Sequence, residues 1–254
     1  MRYLEQSAVA AAADLGYGSN FHREHGSAWV IHRMTLLMDA PTRPMDELQL
    51  TTWISHFARV RGGREYIIEN VRSGKTLYRG LAEWVYIDRR TLAPRAIPAD
   101  VMQDFDVPGA PLHTYDAPEV SPVTEEPRRF TIERTAEWHE CDSMGHVNNA
   151  NYADWLDDAA KAALEAIGWP VEALRQRGLH LRAEYCTFNY KRASLPGDRL
   201  RITTQIDGVE GRVCALSQII TTTDGAEVHT SSSIYGWRDA RGELAAPPEG
   251  WGIK

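Results

Sequence analysis

The residues best suited to chemistry lie in one stretch, Trp138-His139-Glu140-Cys141-Asp142-Ser143-Met144-Gly145-His146-Val147-Asn148-Asn149-Ala150-Asn151-Tyr152. Asp142 and His146 stand four residues apart around Gly145, in a loop that opens onto an apolar pattern of helical period. A carboxylate takes a proton from water or attacks an electrophilic carbon directly, and an imidazole exchanges protons near neutral pH. A helix N-terminus offers backbone N–H groups without intrahelical partners and about half a positive charge. That combination suits a reaction that builds negative charge on a carbonyl oxygen, as attack on a thioester does. Base and nucleophile both remain open for Asp142, and His146 is assigned to orienting substrate or moving protons. By itself an Asp-x-x-x-His spacing reads as a turn-capping aspartate and a satisfied loop histidine; the helix start behind it gives it weight. His139, Glu140, Cys141 and Asp142 are of metal-ligand type. Neighbours on a strand point to opposite faces, however, and no second ligand cluster stands out, so neither metal nor cofactor is expected.

These residues need a strand to lead into the loop and a helix to lead out of it. Phe130 to Trp138 supplies the strand pattern, and Tyr152, Trp155, Leu156, Ala159, Ala163 and Ile167 recur at helical spacing from about Asn149 to Ile167. Asn148 or Asn149 caps the helix, either of them also being able to touch substrate, and Gly168 with Pro170 stops it. Extended, β-branched or aromatic stretches follow at Leu179 to Tyr190, Arg199 to Ile206, Arg212 to Thr222 and Val228 to Trp237.

The same order occurs earlier in the chain. An offset of 152 residues carries Gly16 onto Gly168, Gly26 onto Gly178, Pro44 onto Pro196, Asp46 onto Asp198 and Thr51-Thr52 onto Thr203-Thr204. With one residue deleted, Gly74 meets Gly225 and Asp88 meets Asp239. Turn chemistry alone does not produce one gap-free register over so long a stretch, so the chain is read as a duplication. The first copy shows a helix ending near Leu15-Gly16 and strands at Trp29 to Met38, Leu48 to Phe57, Glu65 to Val71 and Leu77 to Ile87. The division expected is residues 1–107, a linker over 108–127 within a proline-rich acidic stretch running from about Pro94, and residues 128–254. Subtracting the offset from Asp142 falls before Met1. The first copy is therefore expected to lack its leading strand and loop, which leaves one centre. A long helix followed by antiparallel strands implies an α+β fold, each sheet wrapped about its helix.

Composition narrows the partners. The chain has 254 residues and a net charge of -7, against the basic face a general nucleic-acid binder needs. Cys141, Cys186 and Cys214 are odd in number and far apart, the usage of a reducing, cytoplasmic protein. No apolar run approaches the roughly 20 residues that span a bilayer, so no membrane partner is expected. Arg128-Arg129 and Arg175-Gln176-Arg177 are read first as solvated, and as docking patches for an acidic partner second.

The pattern Asp142-x-Met144-Gly145-His146-Val147-Asn148-Asn149-x-x-Tyr152 resembles the thioesterase signature of the hotdog superfamily. The whole chain is similar to the acyl-acyl carrier protein (acyl-ACP) thioesterases, which are tandem hotdogs. Gly26-x-x-Trp29-Val30, Pro44-x-Asp46, Thr52-Trp53 and Trp84-Val85-x-Ile87-Asp88 look like that family's N-terminal half. The resemblance implies a double hotdog that hydrolyses acyl-ACP or acyl-CoA thioesters without a cofactor, as a monomer or homodimer. Asp142 and His146 are then catalytic, and Gly145, Val147, Asn148, Asn149 and Tyr152 contact substrate. It also implies that Trp29, Trp53 and Trp84, otherwise plain core residues, help to shape the acyl pocket. Two departures stand out. Met144 occupies the place of the family's asparagine, and Ala193-Ser194 align with its glutamate-cysteine pair. The chemistry is then left to Asp142 and the helix end. A hotdog hydratase or dehydratase is the first alternative, disfavoured because Ser143-Met144-Gly145 stands where those enzymes carry Asn-Pro. A non-catalytic acyl-binding protein is the second.

Overall fold

Alternation of side chains shows most plainly in the strand from Val213 to Thr222. Along Val213–Thr222 every second residue (Cys214, Leu216, Gln218, Ile220) is buried, the pattern of a sheet with one face on a core. The structure is a computed structural model and describes residues 1–122, 127–166, 171–210 and 212–246. By contacts the chain divides into two units, Met1–Asp116 and Ala117–Lys254.

The first unit runs α1 (Arg2–Asp14), α2 (Ser19–Glu24), β1 (Ser27–Met38), β2 (Leu48–Phe57), β3 (Arg61–Asn70), β4 (Thr76–Asp88) and α3 (Ala99–Gln103). Its strands are antiparallel in the order β2-β3-β4-β1. Leu4 and Ala8 are buried on the inner side of α1. The proline-rich stretch after β4 holds more structure than its composition suggests. Ile97 and Val101 join Tyr17 and Tyr86 in a core cluster. The buried Glu65 carboxylate accepts hydrogen bonds from Leu112 N–H (2.8 Å), His113 N–H (3.2 Å) and the Tyr115 hydroxyl (2.8 Å). A buried charge has to be satisfied by such donors, and here they pin the chain to the unit as far as residue 115.

The second unit runs β5 (Arg129–Thr135), α4 (Asn149–Ala166), α5 (Val171–Gln176), β6 (Leu179–Tyr190), β7 (Arg199–Glu210), β8 (Val213–Thr222) and β9 (Glu227–Asp239). The strands are antiparallel in the order β6-β9-β8-β7-β5. Helix α4 lays Ala150, Tyr152, Trp155, Leu156, Ala159, Ala160, Ala163 and Leu164 on the sheet. Full burial of a side chain the size of Leu156 contributes about 1.5–3 kcal/mol. The Gln218 amide fastens the layers by donating to the Leu156 carbonyl (2.8 Å) and to Thr204 Oγ1 (2.9 Å). The expected helix stop at Gly168 and Pro170 lies outside the described residues.

The duplication extends to irregularities. The β1/β4 register slips between Ile31 and Arg33, and the β6/β9 register between Ala183 and Tyr185. The β2/β3 pair slips between Ile54 and His56, and β7/β8 between Ile206 and Gly208. Each slip in one unit falls on its counterpart at the 152-residue offset, and α2 falls on α5. Bulges of this kind bend and twist a sheet, so the two units share a curvature as well as an element order. Each unit is a hotdog, an α+β arrangement of antiparallel sheet against helix.

One expectation fails at the strand before the loop. β5 ends at Thr135, and Trp138–Glu140 forms a 3-10 turn instead of continuing it. A capping box explains the break: the Glu137 side chain accepts from the Glu140 N–H while the Glu140 side chain accepts from the Glu137 N–H. Trp138, which read as a strand residue, is 82% exposed. Among the described residues no helix is long and apolar enough to cross a membrane.

Candidate active site

The loop is a tight hairpin. Cys141 and Val147 form an isolated antiparallel bridge, Asp142 N–H donates to the His146 carbonyl (3.0 Å), and Gly145 N–H donates to the Asp142 carbonyl (3.0 Å). Gly145 has φ +81°, a left-handed conformation that glycine adopts without a Cβ penalty, and this closes the turn. Asp142 Oδ1 accepts the Met144 N–H at 2.7 Å, which fixes the carboxylate. Met144 brings no amide side chain to the site, but its backbone anchors Asp142. Among the described residues, Asp142 Oδ2 accepts no hydrogen bond. His146 Nδ1 lies 3.9 Å from Asp142 Oδ1, within ion-pair reach when the imidazole is protonated, and 3.4 Å from the Val147 carbonyl. Both side chains are about a quarter exposed (26% and 29%), so substrate and water can reach them.

The hairpin runs directly into α4. Asn148 is the cap: its Oδ1 accepts the Ala150 N–H (2.9 Å) and its carbonyl accepts the Asn151 N–H (3.0 Å). Fewer first-turn N–H groups are therefore open than a bare helix end would offer, although the positive end of the helix dipole remains. Asn149 is the first helical residue, and its carbonyl accepts from the Tyr190 hydroxyl (3.1 Å). Val147 and Tyr152 are buried, at 1% and 2% exposure, and hold the loop from inside. Val147 N–H donates to the Ser194 carbonyl (2.9 Å). The Tyr152 hydroxyl donates to Ser194 Oγ (3.0 Å) and accepts the Ser194 N–H (3.2 Å).

Two residues matter more here than their sequence context indicated. Ser194 is wholly buried beneath the hairpin and holds both Val147 and Tyr152. Glu140 is a hub. Its carboxylate accepts from Arg134 (2.5 Å), the Trp155 indole N–H (2.7 Å) and Glu137 N–H (2.8 Å), and Arg134 stacks over Trp155 at 4.0 Å. Its carbonyl accepts from Asn148 N–H (2.9 Å) and the Asn151 side chain (2.6 Å). Burial alone pushes the Glu140 carboxyl up. The Glu137 N–H, the Trp155 indole and Arg134 outweigh that, and its pKa ends below the ordinary value. The spacing Glu137-x-x-Glu140 was the available signal, a capping-box pattern set just before the loop. Cys141, next to Asp142, is no rival nucleophile: burial, then the Asp142 and Glu140 charges, push its thiol up and keep it protonated.

Two family matches cover most of the chain. Residues 1–105 match the acyl-ACP thioesterase N-terminal domain, and residues 136–251 match the thioesterase-like superfamily. The first half of the chain thus matches the acyl-ACP thioesterases, and the second half matches the wider thioesterase-like superfamily. Its similarity to an acyl-[acyl-carrier-protein] hydrolase of Cuphea viscosissima is 22% identity over 94% of this chain and 57% of the relative. To a palmitoyl-acyl carrier protein thioesterase of Arabidopsis thaliana it is 23% identity over 90% and 56%. The chain thus spans a little over half the length of these curated relatives. The solved acyl-ACP thioesterase of Bacteroides thetaiotaomicron superposes with a TM-score of 0.70 at 21% identity, over 92% of this chain and 87% of that one. That agreement establishes the double-hotdog fold.

Proposed function

We propose that this protein hydrolyses acyl thioesters of acyl carrier protein, releasing a free acid and the carrier thiol. The Asp142 carboxylate carries the reading. One oxygen is clamped by the Met144 N–H and the other is left unbonded among the described residues, in a hairpin that leads into the capped start of α4. In the proposed step Asp142 Oδ2 takes a proton from water, and the water oxygen bonds to the thioester carbonyl carbon. Negative charge then gathers on the carbonyl oxygen, which the positive end of α4 favours. Collapse restores the carbonyl and breaks the carbon–sulfur bond, and the proton taken by Asp142 passes through His146 to the departing thiolate. No step calls for a cofactor. Gly145, Asn148 and Asn149 border the substrate, while Val147 and Tyr152 act from beneath the loop.

Acyl carrier protein is preferred as carrier because the relatives that cover nearly all of this chain are named for it. Such an activity ends acyl-chain growth in fatty acid biosynthesis. A cytoplasmic setting fits three free cysteines, of which Cys186 and Cys214 are buried. The chain supplies two hotdog units of its own, which suits a monomer or a homodimer.

The test is thiol release from a panel of acyl-ACPs of graded chain length, with the matching acyl-CoAs in parallel. Turnover of acyl-ACPs is expected. Water addition to an enoyl thioester, followed by its ultraviolet absorbance, or acyl binding that raises the melting temperature with no thiol released, would replace this reading.

A further inference from the structure

His229 is wholly buried on β9, and neither of its ring nitrogens has a hydrogen-bond partner. A neutral imidazole has one N–H and one lone pair to satisfy, so this placement costs free energy that phenylalanine would not incur. What the residue has instead is ring contacts. It stacks on Tyr152 at 5.3 Å between centroids with the planes 21° apart, meets Tyr190 edge-on at 4.9 Å and 74°, and lies 6.0 Å from Phe188. Tyr152 and Tyr190 also meet each other edge-on at 5.6 Å.

These two tyrosines hold the loop. Tyr152 reaches it through Ser194, whose carbonyl binds the N–H of Val147, next to His146. Tyr190 reaches it through the carbonyl of Asn149, the first residue of α4. We infer that His229 is a positioning residue: a neutral aromatic plate, packed against both Tyr152 and Tyr190, that fixes where the Asp142–His146 hairpin meets the start of α4. Burial, with the Lys191 charge adding to it, pushes the imidazolium down to about 3, so the ring is uncharged at any ordinary working pH. The face of the ring does the positioning, and its nitrogens take no part.

The inference deepens the hydrolase reading, and its kinetic arm rests on that reading; its amide-exchange arm does not. The experiment compares His229→Ala and His229→Phe in the intact chain. His229→Ala removes the plate, and kcat is expected to fall at least ~10-fold with KM nearly unchanged, since small misplacement of reacting groups is costly. His229→Phe restores the ring and is expected to keep more than about half of the wild-type kcat. Amide exchange at Val147 and Asn151 should quicken in the alanine variant and return to the wild-type rate in the phenylalanine variant, with β8 amides unchanged in both. A phenylalanine variant as slow as the alanine one would overturn the inference by assigning the role to the nitrogens. Uniformly faster exchange across β8 and the loop would overturn it as well, by making His229 a general core residue. If the wild type hydrolyses no thioester, the hydrolase reading fails while the exchange result still decides the role of His229.

Discussion

That Asp142 and His146 come together was legible from residue type and spacing because the hairpin that presents them is local: five residues, one left-handed glycine and two backbone hydrogen bonds. Most of their supports were not legible, because Ser194, Tyr190 and His229 reach the site from other strands and loops, up to about ninety residues away in the chain. Glu140 shows the difficulty most clearly. In the sequence it is one of four residues of metal-ligand type with no expected metal, and nothing there shows that in the fold its carboxylate ties Arg134, Trp155 and the 3-10 turn together. Glu140→Gln is expected to cost about 2 kcal/mol at neutral pH, the scale of hydrogen bonds to a charged group. The sign with pH follows from the lowered folded-state pKa. The contribution is complete above the unfolded-state value, near 4.3, and is lost as pH falls through the folded value. Thermal melts of wild type and Glu140→Gln should therefore differ at pH 7 and converge in acid. A gap that stays constant down to about pH 3 would contradict the assignment.

At the scale of elements, the regular parts were legible because their periods are. Helix α4 shows its apolar stripe, and β2 and β6 begin and end where the residue pattern does. The strand before the loop was overrun because Trp138 has a strand-like side chain, while the backbone is diverted by a side-chain cap that alternation does not register. The bulges also lie outside period-based reading, yet they recur at the 152-residue offset, and so the repeat specifies curvature. The start of α4 depends on Asn148, whose side chain caps Ala150. Asn148→Ala is expected to destabilise the chain by about 1 kcal/mol. Because the cap also sets the angle between hairpin and helix, kcat should fall with it. Asn148→Asp, which keeps the capping oxygen, should retain the stability in urea unfolding, and a loss equal to that of alanine would remove the cap from the explanation.

For the whole molecule, duplication and fold class were both open to reading, since each rests on order and spacing along the chain. The partition was harder. The stretch after β4 is rich in proline and acid, yet Glu65 ties residues 112 to 115 to the first unit and Glu210 binds Ser121 in the second, so little free connection is left. Composition marks such a segment as exposed but does not name the side chains that anchor it. The candidate centre lies in the hairpin of the second unit. The most direct measurement is therefore thiol release from acyl-ACP by the wild type and by Asp142→Asn. Asparagine keeps an oxygen to accept the Met144 N–H and so preserves the turn, but it cannot take a proton from water. The variant should fold with an unchanged melting temperature and lose at least ~100-fold in kcat, within the range general-base catalysis supplies. Wild-type turnover by a folded Asp142→Asn protein would contradict the assignment of Asp142 as the base.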